Sequence, residues 1–137
     1  MKLQPTRIAE TILYTDDLDR AVDFYTRLFE CRVVRRTPRF AALRIAPEEV
    51  LLLFVRGASV QPHHVDVGMI PAHDGHGPLH VCFGIETADV SRWEQRLVEF
   101  DIELESRVVW PGGGVSLYFR DPDNDAIELA TPGIWPD

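Results

Sequence analysis

The sequence predicts an α+β protein of paired βαβββ modules, each forming a curved mixed sheet around a cleft, with the helices outside. Two observations predict it. Short apolar runs recur between turn signals, and each set of runs contains one stretch of helical spacing. The order of elements then repeats: Glu10 falls on His80 at an offset of 70 residues, and Leu28 on Leu97 at 69.

The elements follow in order. Residues 7–14 (RIAETILY) read as a strand. Thr15, Asp16 and Asp17 offer helix caps, with acids near the positive end of the helix dipole. Leu18, Ala21, Val22, Tyr25, Leu28 and Phe29 then keep to one helical face. Three extended runs follow: RVVRR, FAALRI and VLLLFV, separated by Thr37-Pro38 and by Pro47-Glu48-Glu49. The second half repeats the order. LHVCFGI opens it as a strand, Asp89 is the expected cap, and Val90, Trp93, Leu97 and Phe100 form one helical face. Residues 102–109 are extended, Trp110-Pro-Gly-Gly-Gly is a turn, and SLYFR and AIEL flank a polar turn at residues 121–125. The chain is expected to be one domain over residues 1–137, with module 1 at about 7–57, a linker at 58–78 and module 2 at about 79–131. The linker is rich in Gly, Pro and His and long for a structureless connection, so it is expected to be mobile or to cover a pocket.

The bulk properties exclude several classes. At 137 residues, 45% hydrophobic and 26% charged, the chain has the composition of an ordinary globular domain. A formal net charge of -8, with no Lys/Arg block interleaved with aromatics, argues against nucleic acid as a partner. No apolar stretch is long enough to span a membrane, and MKLQPTRIAE lacks the apolar core of a secretion leader. Cys31 and Cys82 make no disulfide framework, so a cytoplasmic protein with two free thiols is expected.

Three residues carry the candidate chemistry. Glu10 and His80 hold matched places on the first strands of the two modules, and Glu128 interrupts the last apolar strand. A buried carboxylate needs a partner. One imidazole and two carboxylates satisfy one another by binding a divalent metal. Taken singly, each residue has a plainer role: His80 as a core histidine bonded to backbone, Glu10 on a solvent face, Glu128 paired with Arg120 or Arg44.

The stretches TDDLDRAVDFYTRLF, LHVCFGI and SLYFRDPDNDAIEL together resemble the vicinal oxygen chelate superfamily of glyoxalases, fosfomycin-resistance transferases, extradiol dioxygenases and bleomycin-binding proteins. The resemblance implies metal ligands at Glu10, His80 and Glu128, and catalytic roles for Glu128 and for Tyr118, ten residues before it. It implies a divalent cofactor (Mn, Mg, Ni, Zn or Fe), a small-molecule substrate and a homodimer. The expected function is a metal-dependent lyase, isomerase or transferase that uses the ion as a Lewis acid. The alternatives are a metal-free drug- or metabolite-sequestering protein and an extradiol-type dioxygenase. Three departures bear on the choice. Glu10 replaces the first His of the dioxygenase triad. GGGVS lacks the dioxygenase catalytic His. The fourth glyoxalase ligand is missing, since Leu53, or Leu52 with a one-residue shift, stands at its place. Ser116 and Tyr118 match the Ser-x-Tyr pair of the fosfomycin enzymes, whose basic anion-binding residue beyond the last strand has no obvious match in the tail TPGIWPD.

Secondary features have simpler expectations. His63, His64, His73 and His76 belong to a polar loop, with a lid that donates a His as the lesser reading. Arg32, Arg35, Arg36 and Arg39 read as a solvated strand face. Cys82 shares a sheet face with His80 and is expected to fill a small pocket or the core. Trp110 is a pocket wall or a hairpin anchor.

Overall fold

The computed structural model describes all 137 residues. They form two compact units, Met1–His76 and Gly77–Asp137.

The first unit contains β1 (Glu10–Thr15), α1 (Leu18–Phe29), β2 (Arg32–Arg36), β3 (Phe40–Ala46) and β4 (Glu49–Val55). Its sheet has the order β1-β4-β3-β2, with β1 parallel to β4 and the other pairs antiparallel. Helix α1 starts where Asp17 Oδ1 accepts the Arg20 amide at 3.1 Å. It ends at Glu30, which adopts a left-handed conformation with φ 50. Its stripe of Leu18, Ala21, Val22, Tyr25 and Leu28 is buried, and the helix packs on β3 and β4. Strand alternation sends Leu13, Ala41, Leu43, Leu51 and Leu53 to that same core. Each fully buried leucine contributes roughly 1.5–3 kcal/mol. Strand β1 starts at Glu10, three residues later than residues 7–14 suggest, and Ala9 adds only its carbonyl, which accepts the Val50 amide at 3.2 Å.

The linker is not structureless. It holds a small antiparallel hairpin, β5 (His63–Val65) and β6 (Gly68–Ile70), which is exposed throughout. Beyond the hairpin the chain returns to its own unit: the His73 amide donates to Ser59 O at 2.8 Å.

The second unit repeats the pattern with β7 (His80–Gly84), α2 (Val90–Glu99), β8 (Ser106–Val109), β9 (Val115–Arg120) and β10 (Ala126–Ala130), in the order β7-β10-β9-β8. The βαβββ modules and their mixed sheets are thus present in both halves. Asp89 is not the expected side-chain cap. It closes a 3-10 turn, Thr87–Asp89, and its carboxylate pairs with Arg92. Of the extended residues 102–109, the last four form the strand, and the Glu105 amide adds a bond to Tyr118 O at 2.8 Å. The turn between β9 and β10 is held by Asp121 Oδ1, which accepts the amides of Asp123 and Asp125. The buried Asp125 Oδ1 accepts the Leu79 amide at 2.7 Å and so anchors the start of β7.

Candidate functional site

Two registers build the site in the second unit. The parallel β10–β7 ladder sets Glu128 beside Cys82, and the antiparallel β10–β9 ladder sets it opposite Tyr118. Because strand side chains alternate, Ser116 joins Tyr118, and His80 joins Cys82, on the face that carries Glu128. The opposite face takes Leu117, Phe119, Ile127 and Leu129, all fully buried. The acid in the apolar strand is thereby the centre of a polar cluster.

Each oxygen of that acid has a distinct environment. Glu128 Oε2 accepts the Ser116 hydroxyl at 2.6 Å, and Ser116 Oγ in turn accepts the Trp110 indole N–H at 2.8 Å. Glu128 Oε1 lies 3.2 Å from His80 Nε2; the Glu128 side chain is 8% exposed and that of His80 52%. Neither Arg120 nor Arg44 takes the role of its partner, since Arg120 pairs with Glu105 and Arg44 reaches the Pro47 carbonyl. Tyr118 stacks on the His80 ring at 6.4 Å between centroids.

The tautomer of His80 follows from its other nitrogen. Nδ1 lies 2.8 Å from the Ala126 carbonyl, which only accepts, so Nδ1 carries the proton. In the neutral ring, Nε2 then presents a lone pair to a carboxylate oxygen. Two acceptors 3.2 Å apart require a proton or a cation between them. Two ligand atoms at about 2.1 Å from one ion lie about 3.0 Å apart at a right angle and about 3.4 Å apart at a tetrahedral angle. The pair therefore fits adjacent positions on a divalent ion, and the Nδ1–H···O=C bond is the kind of support that ligating histidines receive.

Cys82 and Tyr118 are neutral donors beside this carboxylate. Partial burial of the sulfur, then the charge of Glu128 and a hydrogen bond to it, push the Cys82 thiol up to about 12. Burial raises the Tyr118 phenol; a hydrogen bond with Ser116 opposes the rise and Glu128 adds to it. Cys82 is exposed on the open face, so it is not the core filler expected from sequence.

Glu10 begins β1 in the first unit and is exposed. The structure brings His80 and Glu128 together, and no group of three or more His, Cys, Asp or Glu side chains able to hold a metal is gathered in the single chain. The registers also decide the fourth-ligand position. Ile12 pairs with Leu52 as Cys82 pairs with Glu128, so Leu52 is the counterpart of Glu128. The open face of the first sheet is aromatic instead. Phe40 stacks on Phe54 at 5.1 Å, His73 meets Phe54 edge-on at 4.6 Å, and Tyr14 Oη bonds His73 Nδ1 at 2.7 Å. One linker histidine thus lies on this face, while His63 and His64 stay in the exposed hairpin.

Sequence reasoning missed the bond from Trp110 to Ser116. The available signal was a Trp just before Pro-Gly-Gly-Gly, six residues from a serine on the face of Glu128.

Residues 7–129 match the Glyoxalase/Bleomycin resistance protein/Dioxygenase superfamily. The chain belongs to this superfamily. Its structure is similar to that of a lactoylglutathione lyase from Agrobacterium tumefaciens, with a TM-score of 0.87 and 32% identity over 97% of this chain and 98% of the other. By sequence it is 23% identical to the metallothiol transferase FosB of Bacillus licheniformis, over 93% of this chain and 77% of that protein. It is 28% identical to a putative lactoylglutathione lyase of Brassica oleracea, matching 99% of this chain but 48% of the plant protein. The chain thus spans about half the length of that plant relative.

Proposed function

We propose that this protein is a metal-dependent small-molecule enzyme of the glyoxalase/dioxygenase type, with Glu10, His80 and Glu128 as the ligands of one divalent ion. The observation that supports the reading is the contact of His80 Nε2 with Glu128 Oε1, 3.2 Å apart on an open face, a separation that fits two ligand atoms of one ion. When bound, the ion would supply Lewis-acid stabilisation of negative charge on substrate oxygens. The protein's own groups have separate tasks. Ser116 holds Oε2 of Glu128, so the carboxylate is presented with Oε1 facing His80 Nε2. Oε1 would face the ion and, once released from it, would be the oxygen free to accept or return a proton. Tyr118 stays protonated beside it and serves as a hydrogen-bond donor to a substrate oxygen. A thiol-linked substrate is the first class to assay, because the relatives are described as lactoylglutathione lyases and a metallothiol transferase.

Metal analysis and calorimetric titration test the reading. Wild-type protein is expected to bind one divalent ion per chain, and His80→Ala and Glu128→Ala are expected to abolish tight binding while leaving the fold intact. Wild-type protein that binds no Mn, Ni or Zn would overturn it.

A metal-free ligand-binding protein is the second reading. The exposure of Glu10 and the aromatic face of Tyr14, Phe40 and Phe54 favour it. It requires tight binding of an aromatic ligand by protein stripped of metal.

A further inference from the structure

Trp110 lies outside the proposed ligand set, yet it ends a chain of hydrogen bonds that reaches Glu128. The indole N–H is only a donor. By bonding Ser116 Oγ at 2.8 Å it occupies a lone pair of that hydroxyl and leaves the hydroxyl proton for Glu128 Oε2, at 2.6 Å. Ser116 is fully buried, so no solvent competes for the arrangement. The carboxylate is thereby locked with Oε2 turned inward and Oε1 toward His80.

The position of the indole is itself built in. Trp110 precedes a turn closed by the bonds Trp110 N to Gly114 O, at 2.8 Å, and Gly113 N to Trp110 O, at 2.9 Å. The C-terminal tail clamps this turn. Gly114 N reaches Gly133 O, Thr131 N bonds Val115 O, and the Val115 amide donates to Thr131 Oγ1. The approach tolerates no side chain: a Cβ on Gly112 would meet Gly133 O at 2.6 Å, and one on Gly114 would meet Gly133 C at 2.7 Å.

We infer that Trp110 is a positioning residue that orients Glu128 for ion binding through Ser116, with the turn and tail as its mount. The inference rests on the metal reading above. Outer groups that orient ligating side chains typically change metal affinity about 10–100-fold.

The test is a double-mutant cycle on the full chain, read by calorimetric titration with Mn and by the electronic spectrum of the Co-loaded protein. Trp110→Phe keeps an aromatic ring, though a smaller one, and deletes the donor. Ser116→Ala deletes the relay. Each variant is expected to bind Mn about 10-fold more weakly than wild type, with the Co spectrum altered in the same sense. The double variant is expected to be no weaker than Ser116→Ala, because one path is cut twice. The thermal midpoint of metal-free protein, measured alongside, separates packing loss from this coupling. Independent, additive losses, or unchanged affinity in Trp110→Phe, would overturn the relay while leaving the metal reading intact. Wild-type protein that takes up neither ion would overturn both.

Discussion

At the scale of single residues, Glu128 organises its surroundings by charge. Cys82 is exposed yet held protonated, its thiol pushed up to about 12 from an ordinary 9.0. At pH 9.0 only about a thousandth of it is thiolate, against half for an unshifted thiol. Burial of the sulfur is the largest cause of the rise and Glu128 adds to it, so removing the negative charge lowers the value part of the way and raises the thiolate fraction. Alkylation of Cys82 by iodoacetamide at pH 9 is therefore expected to be slow in wild type and at least several-fold faster in Glu128→Gln, as followed by mass spectrometry. Equal rates would remove the carboxylate as a cause. A folded-state value above the unfolded one also favours the native state fully below pH 9, and that contribution is lost as the pH approaches 12. Asp125 acts structurally: its buried Oδ1 holds the Leu79 amide, and Asp125→Ala is expected to cost about 1–3 kcal/mol in urea unfolding.

At the scale of elements, caps and turns set where each strand and helix begins. Helix α1 has a good start at Asp17 and a poor stop at Glu30, where a residue with a Cβ takes φ 50. Glycine accepts that conformation freely. Glu30→Gly is expected to stabilise the protein by up to about 1 kcal/mol, seen as a rise in thermal midpoint; a fall would show that the side chain contributes more than the backbone costs. The linker divides into two parts. The β5–β6 hairpin is exposed, with Val67 and Met69 facing solvent, whereas His73 is tied to Ser59, Tyr14 and Phe54. Amide exchange is expected to be fast through residues 63–70 and slowed at His73. Uniform protection across both would contradict this division.

At the scale of the whole molecule, a homodimer is the proposed working form. Strand β2 is a sheet edge exposed along its length, with Val33 and Val34 among three arginines. Edge strands of this kind pair or are shielded by charge. Sedimentation at micromolar concentration is expected to give twice the monomer mass of 15.6 kDa, and a stable monomer with full ligand binding would refute it. No helix is long and apolar enough to cross a membrane.

Local order was readable from the residues alone. Helical spacing, strand alternation and Gly/Pro turn signals depend on neighbours within a few positions, so the two βαβββ modules, the matched places of Glu10 and His80, and the acid at Glu128 were all legible before any contact was known. The assembly of the site was not. Whether Leu52 or Leu53 answers to Glu128 depends on ladder register, and only the Ile12–Leu52 and Cys82–Glu128 pairings decide it. The Trp110–Ser116–Glu128 chain needs a turn folded against the tail, and the Tyr14–His73 bond needs the linker to return across 59 residues. Side-chain contacts between distant segments follow from which strands pair, and in what register. That pairing is set by burial of the whole apolar set, so it exists only once the sheets have formed.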